Sequence, residues 1–266
     1  MPEGPPPTPV ALFHRDFGGS ALPPVVILHG MLGSSRNWQT LARDLSAERR
    51  VYALDLRNHG LSPHAEPMTY EAMAADVTAW LEREVRGPAV LVGHSMGGKV
   101  AMLLACREPG RVERLVVVDI APRDYFWPAH RAEFAAMNEL SLGDLRSRAE
   151  AEMRFEARVP NWAMRKFLAT NLESTPEGGW RWIINLRAMT AALPDLERNP
   201  LGPGDRYLGP ALFIAGGASN YVQAGDLAAI AEHFPASRVE TLPGSGHNPH
   251  IDARGPFLGL LASSLR

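Results

Sequence analysis

Short, almost uninterrupted apolar runs recur along the chain. They alternate with stretches in which apolar residues return every third or fourth position. VVILHG, VYALDL, AVLVGHS and LVVVDI are the clearest runs. Strands covered on both faces of a parallel sheet read this way, whereas a half-solvated strand alternates apolar and polar. The pattern predicts strands over Val10–Phe17, Val25–His29, Val51–Leu56, Ala89–Val92, Leu115–Ile120, Ala211–Ala215 and Arg238–Leu242. Helices are predicted over Trp38–Ala47, Tyr70–Glu84, Met96–Arg107 and Ala224–Phe234, with a last one near Pro256–Leu265. Regular alternation of the two element types implies an α/β fold with a mostly parallel, doubly wound central sheet flanked by helices.

The alternation stops between about Arg123 and Arg206. Helical spacing dominates there, as in Phe134–Met137–Leu140 and Phe167–Leu168–Leu172, and Pro160, Pro176 and Pro194 punctuate it. WRWIINL is strand-like in composition but lies inside this helical region, so no strand is expected. The strand pattern resumes at YLGPALFIAGG. The expected organisation is a core of residues 1–122 and 206–266, with a helical cap of residues 123–205 inserted between two adjacent core strands.

Composition narrows the classes. The 266 residues are 45% hydrophobic and 21% charged, enough to build a real core. The formal net charge of −2 provides no basic surplus for nucleic acid or an anionic membrane, and neither is expected as a partner. No apolar run approaches the ~20 residues that span a bilayer. The start, MPEGPPPTP, lacks the charged and apolar regions of a signal peptide and reads as an extended, mobile lead-in. A cytoplasmic location is therefore expected, as a monomer or homodimer. The single cysteine, Cys106, reads as a small buried apolar residue of a helix. No His, Cys and carboxylate cluster has metal-ligand spacing, so neither metal nor cofactor is expected.

The segment AVLVGHSMGGKVAMLLA reads as strand, tight turn, helix, with Gly93-His94-Ser95-Met96-Gly97 at the turn. A G-x-S-x-G sequence in this context holds its serine on a strained turn, exposed at the carboxyl edge of the sheet. Side chains at the glycine positions would clash there. The following helix points its N-terminus at the same spot, which favours developing negative charge. Ser95 is thus the candidate nucleophile. His29-Gly30 directly follows an earlier strand, which makes the Met31 and Met96 backbone N–H groups the candidate oxyanion donors. His29 itself is expected to hold the loop.

A nucleophilic serine needs a base. Of His130, His233, His247 and His250, only His247 sits in a glycine-flanked loop just after the last strand. It is the candidate base, with His250 a supporting or packing residue. The acid is harder to place. Its common seat is the loop after strand Ala211–Ala215, which reads Gly216-Gly217-Ala218-Ser219-Asn220-Tyr221 and has no carboxylate. Asp226 lies further on, inside the next predicted helix. Asp119, at the end of LVVVDI, reaches the same sheet edge from the neighbouring strand and is the leading candidate, with Asp195 in the cap as the alternative. The acid's task is to hold the histidine tautomer and stabilise the imidazolium.

HGMLGSSRNWQTLARDL, DLRNHGLSPH, GHSMGGKVAMLLA, VDIAP, YLGPALFIAGGASNYV and GSGH together resemble the α/β-hydrolase family. The likeness is to the group of α/β-hydrolase domain-containing protein eleven and related bacterial short-chain esterases. It runs from about Val25 to His250. It implies the α/β-hydrolase fold, hydrolysis of carboxylic esters, and the aspartate of the VDI segment, Asp119, as acid. The segment His247-Asn248-Pro249-His250-Ile251-Asp252 departs from the family pattern of an aromatic residue after the catalytic histidine, so the pocket wall beside the base differs.

Tyr125, Phe126, Trp182 and Tyr221 are the candidate substrate-binding residues. Lys99 and Arg57 read as structural ion-pair members rather than substrate clamps. The expected activity is cofactor-free cleavage of small-molecule esters with short acyl chains, through an acyl-enzyme. A thioesterase, C–C hydrolase or perhydrolase would use the same parts. So would a small-molecule receptor on a hydrolase scaffold, which would show acylation without turnover.

Overall fold

The computed structural model describes residues 8–21 and 23–265. Most of the proline-rich start falls outside the described residues. The core elements run β1 (His14–Asp16), β2 (Val25–Leu28), α1 (Gln39–Ser46), β3 (Val51–Leu54), α2 (Tyr70–Glu84), β4 (Ala89–His94), α3 (Met96–Arg107) and β5 (Val112–Val118). An insert follows, with α4 (Pro128–Glu139), α5 (Arg148–Arg154), α6 (Trp162–Ala169), β6 (Leu172–Ser174), β7 (Trp180–Trp182) and α7 (Leu186–Leu196). The core then resumes with β8 (Ala211–Gly216), α8 (Leu227–His233), β9 (Ser237–Leu242), α9 (Pro249–Asp252) and α10 (Arg254–Ser264).

The seven core strands form one sheet in the order β1-β3-β2-β4-β5-β8-β9. Only β1 is antiparallel to its neighbour. All residues of β2, β4 and β8 are buried, which is why their sequences are continuously apolar. Alternate residues serve the two faces. Val26 and Leu28 pack with α2 and α3. Val25 and Ile27 pack with Leu41 and Leu45 of α1 and Phe257 and Leu261 of α10. Helix α2 shows the matching period, burying Tyr70, Met73, Val77, Trp80 and Leu81 on one stripe, and Thr69 caps its start by accepting from Ala72 N–H.

The insert is mostly helical but contains a hairpin, contrary to expectation. In it β6 pairs with β7, Leu172 opposite Trp182 and Ser174 opposite Trp180. The half-buried Trp180 and Trp182 flank an exposed Arg181 that pairs with Glu173. Alternation over so few residues is too short to read against a helical background. Several polar contacts tie the insert to the core. Asn171 Nδ2 donates to Leu32 O at 3.0 Å, Asn185 N–H to Asn58 O at 3.0 Å, and Tyr70 Oη to Leu196 O at 2.7 Å. No helix of the described residues is long and apolar enough to cross a membrane.

Candidate active site

Ser95 stands between β4 and α3 with φ +50°, a left-handed backbone that a residue with a Cβ rarely adopts. The crowding that forces glycine on both sides is visible. A Cβ at Gly93 would lie 2.3 Å from Gly97 O, and one at Gly97 would lie 2.5 Å from Leu28 O and His29 O. The turn therefore brings α3 down onto β4 and the loop after β2. It leaves Ser95 at the head of α3.

The chain of contacts at the sheet edge is continuous. The Ser95 hydroxyl donates to His247 Nε2 at 3.0 Å, and His247 Nδ1–H donates to Asp119 Oδ2 at 2.8 Å. Asp119 follows β5, and its register neighbour strand β8 delivers the groups that hold it. Gly216 N–H donates to Asp119 Oδ1 at 2.8 Å, and the Ser219 hydroxyl donates to Oδ2. The Asp119 side chain is fully buried. Its backbone also takes φ +49°, so both the serine and the aspartate occupy strained turns, a common condition at functional sites. The other candidate acids are elsewhere. Asp195 is exposed on α7, and Asp226 is held by Arg123 and by Gln223 N–H.

Tyr221 stacks on the His247 ring, with centroids 3.6 Å apart and planes 22° apart. Tyr125 and Trp127 continue the column at spacings of 5.6 and 5.5 Å. Tyr125 Oη donates to Tyr221 O at 2.6 Å and accepts from Ala121 N–H at 2.9 Å. Tyr125 and Tyr221 thus brace the base rather than line the cavity beside Ser95. Phe126 is 70% exposed beneath the Arg131 guanidinium, and Trp182 packs within the hairpin. None of these four aromatics, expected to bind substrate, is among the residues lining the cavity at Ser95. Aromatic composition marks packing, not direction.

The space itself is a cavity of about 340 Å³ that includes Ser95 and His247. Met31, Trp38, Met164, Phe167 and Ile251 supply its apolar wall. The insert contributes α6 to this wall, through Ala163, Met164 and Phe167. Met31 lines the cavity and Met96 is the first residue of α3, and neither backbone N–H has a hydrogen-bond acceptor among the described residues. The loop that carries Met31 is held from below. His29 donates from Nδ1 to Gly30 O at 2.8 Å and accepts Leu56 N–H at Nε2, 3.0 Å. His59 accepts Leu32 N–H at Nε2, 3.3 Å, and donates from Nδ1 to Arg57 O at 2.9 Å. These pairings fix neutral tautomers for both rings. Burial lowers the pKa of each, that of His59 to about 3.

Two more histidines sit behind the base. His94 Nε2–H donates to His247 O at 2.8 Å, and burial holds this ring well below the ordinary histidine range. His250 lies on the single turn of α9, stacked on Trp38 with centroids 4.0 Å apart, and burial lowers it to about 3. Lys99 departs from the ion-pair expectation. Its ammonium donates to the Glu197 and Arg198 carbonyls at the end of α7 and lies 5.0 Å from the Tyr125 ring centroid. Burial lowers it to about 7. Arg57 is an ion-pair member, fully buried against Asp76. Cys106 is half-buried rather than buried, and burial pushes its thiol up to about 12, so it holds no thiolate at neutral pH. No group of three or more His, Cys, Asp or Glu suited to a metal occurs among the described residues.

A serine on a strained strand–helix turn, with a histidine between it and a buried aspartate, is an arrangement of the serine-hydrolase kind on an open α/β sheet. The model of the α/β-hydrolase fold family matches residues 23–254. The chain is 39% identical over 255 residues to the mouse protein named sn-1-specific diacylglycerol lipase ABHD11, covering 93% of this chain and 82% of that one. It is 36% identical over 229 residues to Escherichia coli esterase YbfF, covering 86% and 87%. The solved structure of a marine microorganism esterase superposes with a TM-score of 0.92 at 34% identity, over 96% of this chain and 99% of that one. The chain belongs to the α/β-hydrolase fold family.

Proposed function

We propose that the protein hydrolyses small carboxylic esters by a cofactor-free Ser-His-Asp mechanism. The observation that carries this reading is the unbroken hydrogen-bond chain from Ser95 through His247 to Asp119. In the proposed reaction His247 Nε2 takes the Ser95 proton as Oγ attacks the ester carbonyl. Asp119 holds the tautomer with its proton on Nδ1 and stabilises the imidazolium that forms. Met31 and Met96 N–H groups receive the oxyanion, reinforced by the N-terminus of α3. His247 then protonates the leaving alcohol, and water repeats the sequence on the acyl-enzyme.

The names of the relatives, esterases and a diacylglycerol lipase, support carboxylic esters as the substrate class. A cavity of about 340 Å³ sits at the lower end of the ~300–1,000 Å³ range of small-molecule pockets, which favours short acyl groups. In this reading residues 123–205 act as a cap over the site.

The test is turnover of p-nitrophenyl butanoate by the wild type and by Ser95→Ala, with a thermal melt of both. Multiple turnovers lost in a folded Ser95→Ala protein are expected. Activity above a few per cent in that variant would remove Ser95 as nucleophile. A single stoichiometric acylation without turnover would favour a ligand receptor.

A further inference from the structure

Two imidazole–carboxylate pairs face the same cavity. One is His247 on Asp119. The other is His130 on Glu133, both on α4, with His130 Nδ1 2.6 Å from Glu133 Oε2. Glu133 is 4% exposed. A carboxylate buried this far requires a donor, and the His130 Nδ1–H supplies it. Trp127 packs edge-on against the imidazole at 5.4 Å and 87°, which fixes the ring plane. Nδ1 is therefore committed, and Nε2 is the polar atom left to the cavity. No hydrogen bond to His130 Nε2 is found among the described residues.

The other cavity histidines belong to the core, and His250 keeps a buried Nδ1 without a partner among the described residues. His29 uses both ring nitrogens on backbone, His94 holds the His247 carbonyl, and His250 lies flat on Trp38. His130 is the one contributed by the insert. The cavity wall from α6 carries Met164 and Phe167, with Asn161 at the start of the helix, and a polar atom left unmatched at the wall costs binding energy for a purely hydrocarbon ligand.

We propose that His130 is a specificity-determining residue that hydrogen-bonds a hydroxyl group carried by the ester substrate. The inference rests on the ester-hydrolase reading above. A hydroxyl is the fitting group because it serves the ring in either protonation state. It donates to Nε2 of the neutral ring and accepts from Nε2–H of the imidazolium. Glu133 acts through His130 as a positioning residue.

The experiment compares matched esters that differ by hydroxyl against methyl. The pairs are 2-hydroxyethyl against propyl butanoate, and propyl 3-hydroxybutanoate against propyl 3-methylbutanoate. The readout is the ratio of kcat/KM within each pair. In the wild type one ratio is expected to exceed unity by about fivefold, the factor that one net hydrogen bond supplies. In His130→Leu it falls to about one, and His130→Gln, which keeps a polar group, restores part of it. His130→Leu leaves Glu133 buried without its donor, so His130→Leu/Glu133→Gln is measured beside it to avoid a bare buried charge. Ratios near one in the wild type for both pairs would overturn the proposal, as would a preference that survives in the folded double variant. The measurement is independent of the main reading, since loss of all ester turnover in Ser95→Ala tests the reaction and the ratio tests only its selectivity.

Discussion

Replacing Asp119 with asparagine changes one atom group and leaves the shape of the site. The carboxylate accepts from His247 Nδ1–H, Gly216 N–H and the Ser219 hydroxyl. Asparagine keeps one oxygen, which Gly216 continues to occupy through Oδ1. Its amide nitrogen then faces His247 Nδ1, and two donors meet unless the imidazole moves its proton to Nε2. In that tautomer Nε2 has no lone pair for the Ser95 proton. The expected loss in kcat is ~10⁴, the scale known for neutralising a triad aspartate, or about 5.5 kcal/mol of barrier. Stability is expected to change little. The Ser219 hydroxyl can turn to accept from the amide, and asparagine tolerates the left-handed backbone at φ +49° at least as well as aspartate. The assay is steady-state hydrolysis of p-nitrophenyl butanoate with a thermal melt. Asp195→Asn, at an exposed position on α7, serves as control. A loss below tenfold in a folded Asp119→Asn protein, or an equal loss in Asp195→Asn, would refute the reasoning.

Three further outcomes follow from the structure. His59 and His250 are lowered by burial to about 3, against ~6.5 in the unfolded chain. Between those values the unfolded chain binds protons that the folded chain does not, so stability is full above pH ~6.5 and falls as pH drops through the window. From pH 6.5 to 5 these two rings cost on the order of 3 kcal/mol together. Urea midpoints across this range check it, and a flat profile contradicts it; His250→Phe should keep the stack on Trp38 and reduce the slope. The second outcome concerns chain length. kcat/KM should be about tenfold or more higher for acetyl to hexanoyl esters than for dodecanoyl and longer ones, since the cavity holds about 340 Å³; a preference for the long chains would point to an open groove. The third is that exhaustive chelation leaves ester turnover unchanged, and a loss restored by added Zn²⁺ or Mn²⁺ would contradict the cofactor-free mechanism.

The frame of the site is legible in the sequence because each part leaves a local mark. Gly93 and Gly97 announce a turn that excludes side chains. The absence of a carboxylate from Gly216 to Tyr221 directs attention to Asp119, and the pairing of Val118 with Ile214 brings that residue to the same edge. What surrounds the frame depends on contacts distant in sequence. Tyr221 reads equally well as a pocket residue or a brace, and only the fold lays it on His247. Ser219 reads as loop polarity until it is seen holding Asp119. The α6 wall of the cavity and the Glu133 carboxylate behind His130 lie in a segment whose apolar spacing fixes which faces are buried but not what they are buried against. The β6–β7 hairpin is hidden for a different reason, since its strands have three residues each.

The buried histidines around the base also bear on why the charge can move as the mechanism requires. His94 and His250 rings lie 4.8 Å from one another, and His94 lies 4.8 Å from His247. Were His94 charged when His247 becomes an imidazolium, the two would repel by about 3.5 kcal/mol at an effective dielectric of ~20. That is more than half of what Asp119 is expected to contribute. Burial removes the conflict by holding His94 and His250 neutral at the pH where esters are hydrolysed. His94 then offers His247 only a hydrogen bond to its backbone carbonyl, which positions the loop without opposing the ring's charge. The negative charge hydrogen-bonded to the imidazole is Asp119, and an aromatic face, Tyr221, covers one side of the ring. His247 thus takes up the Ser95 proton without a charged ring at its back, because burial keeps His94 and His250 neutral.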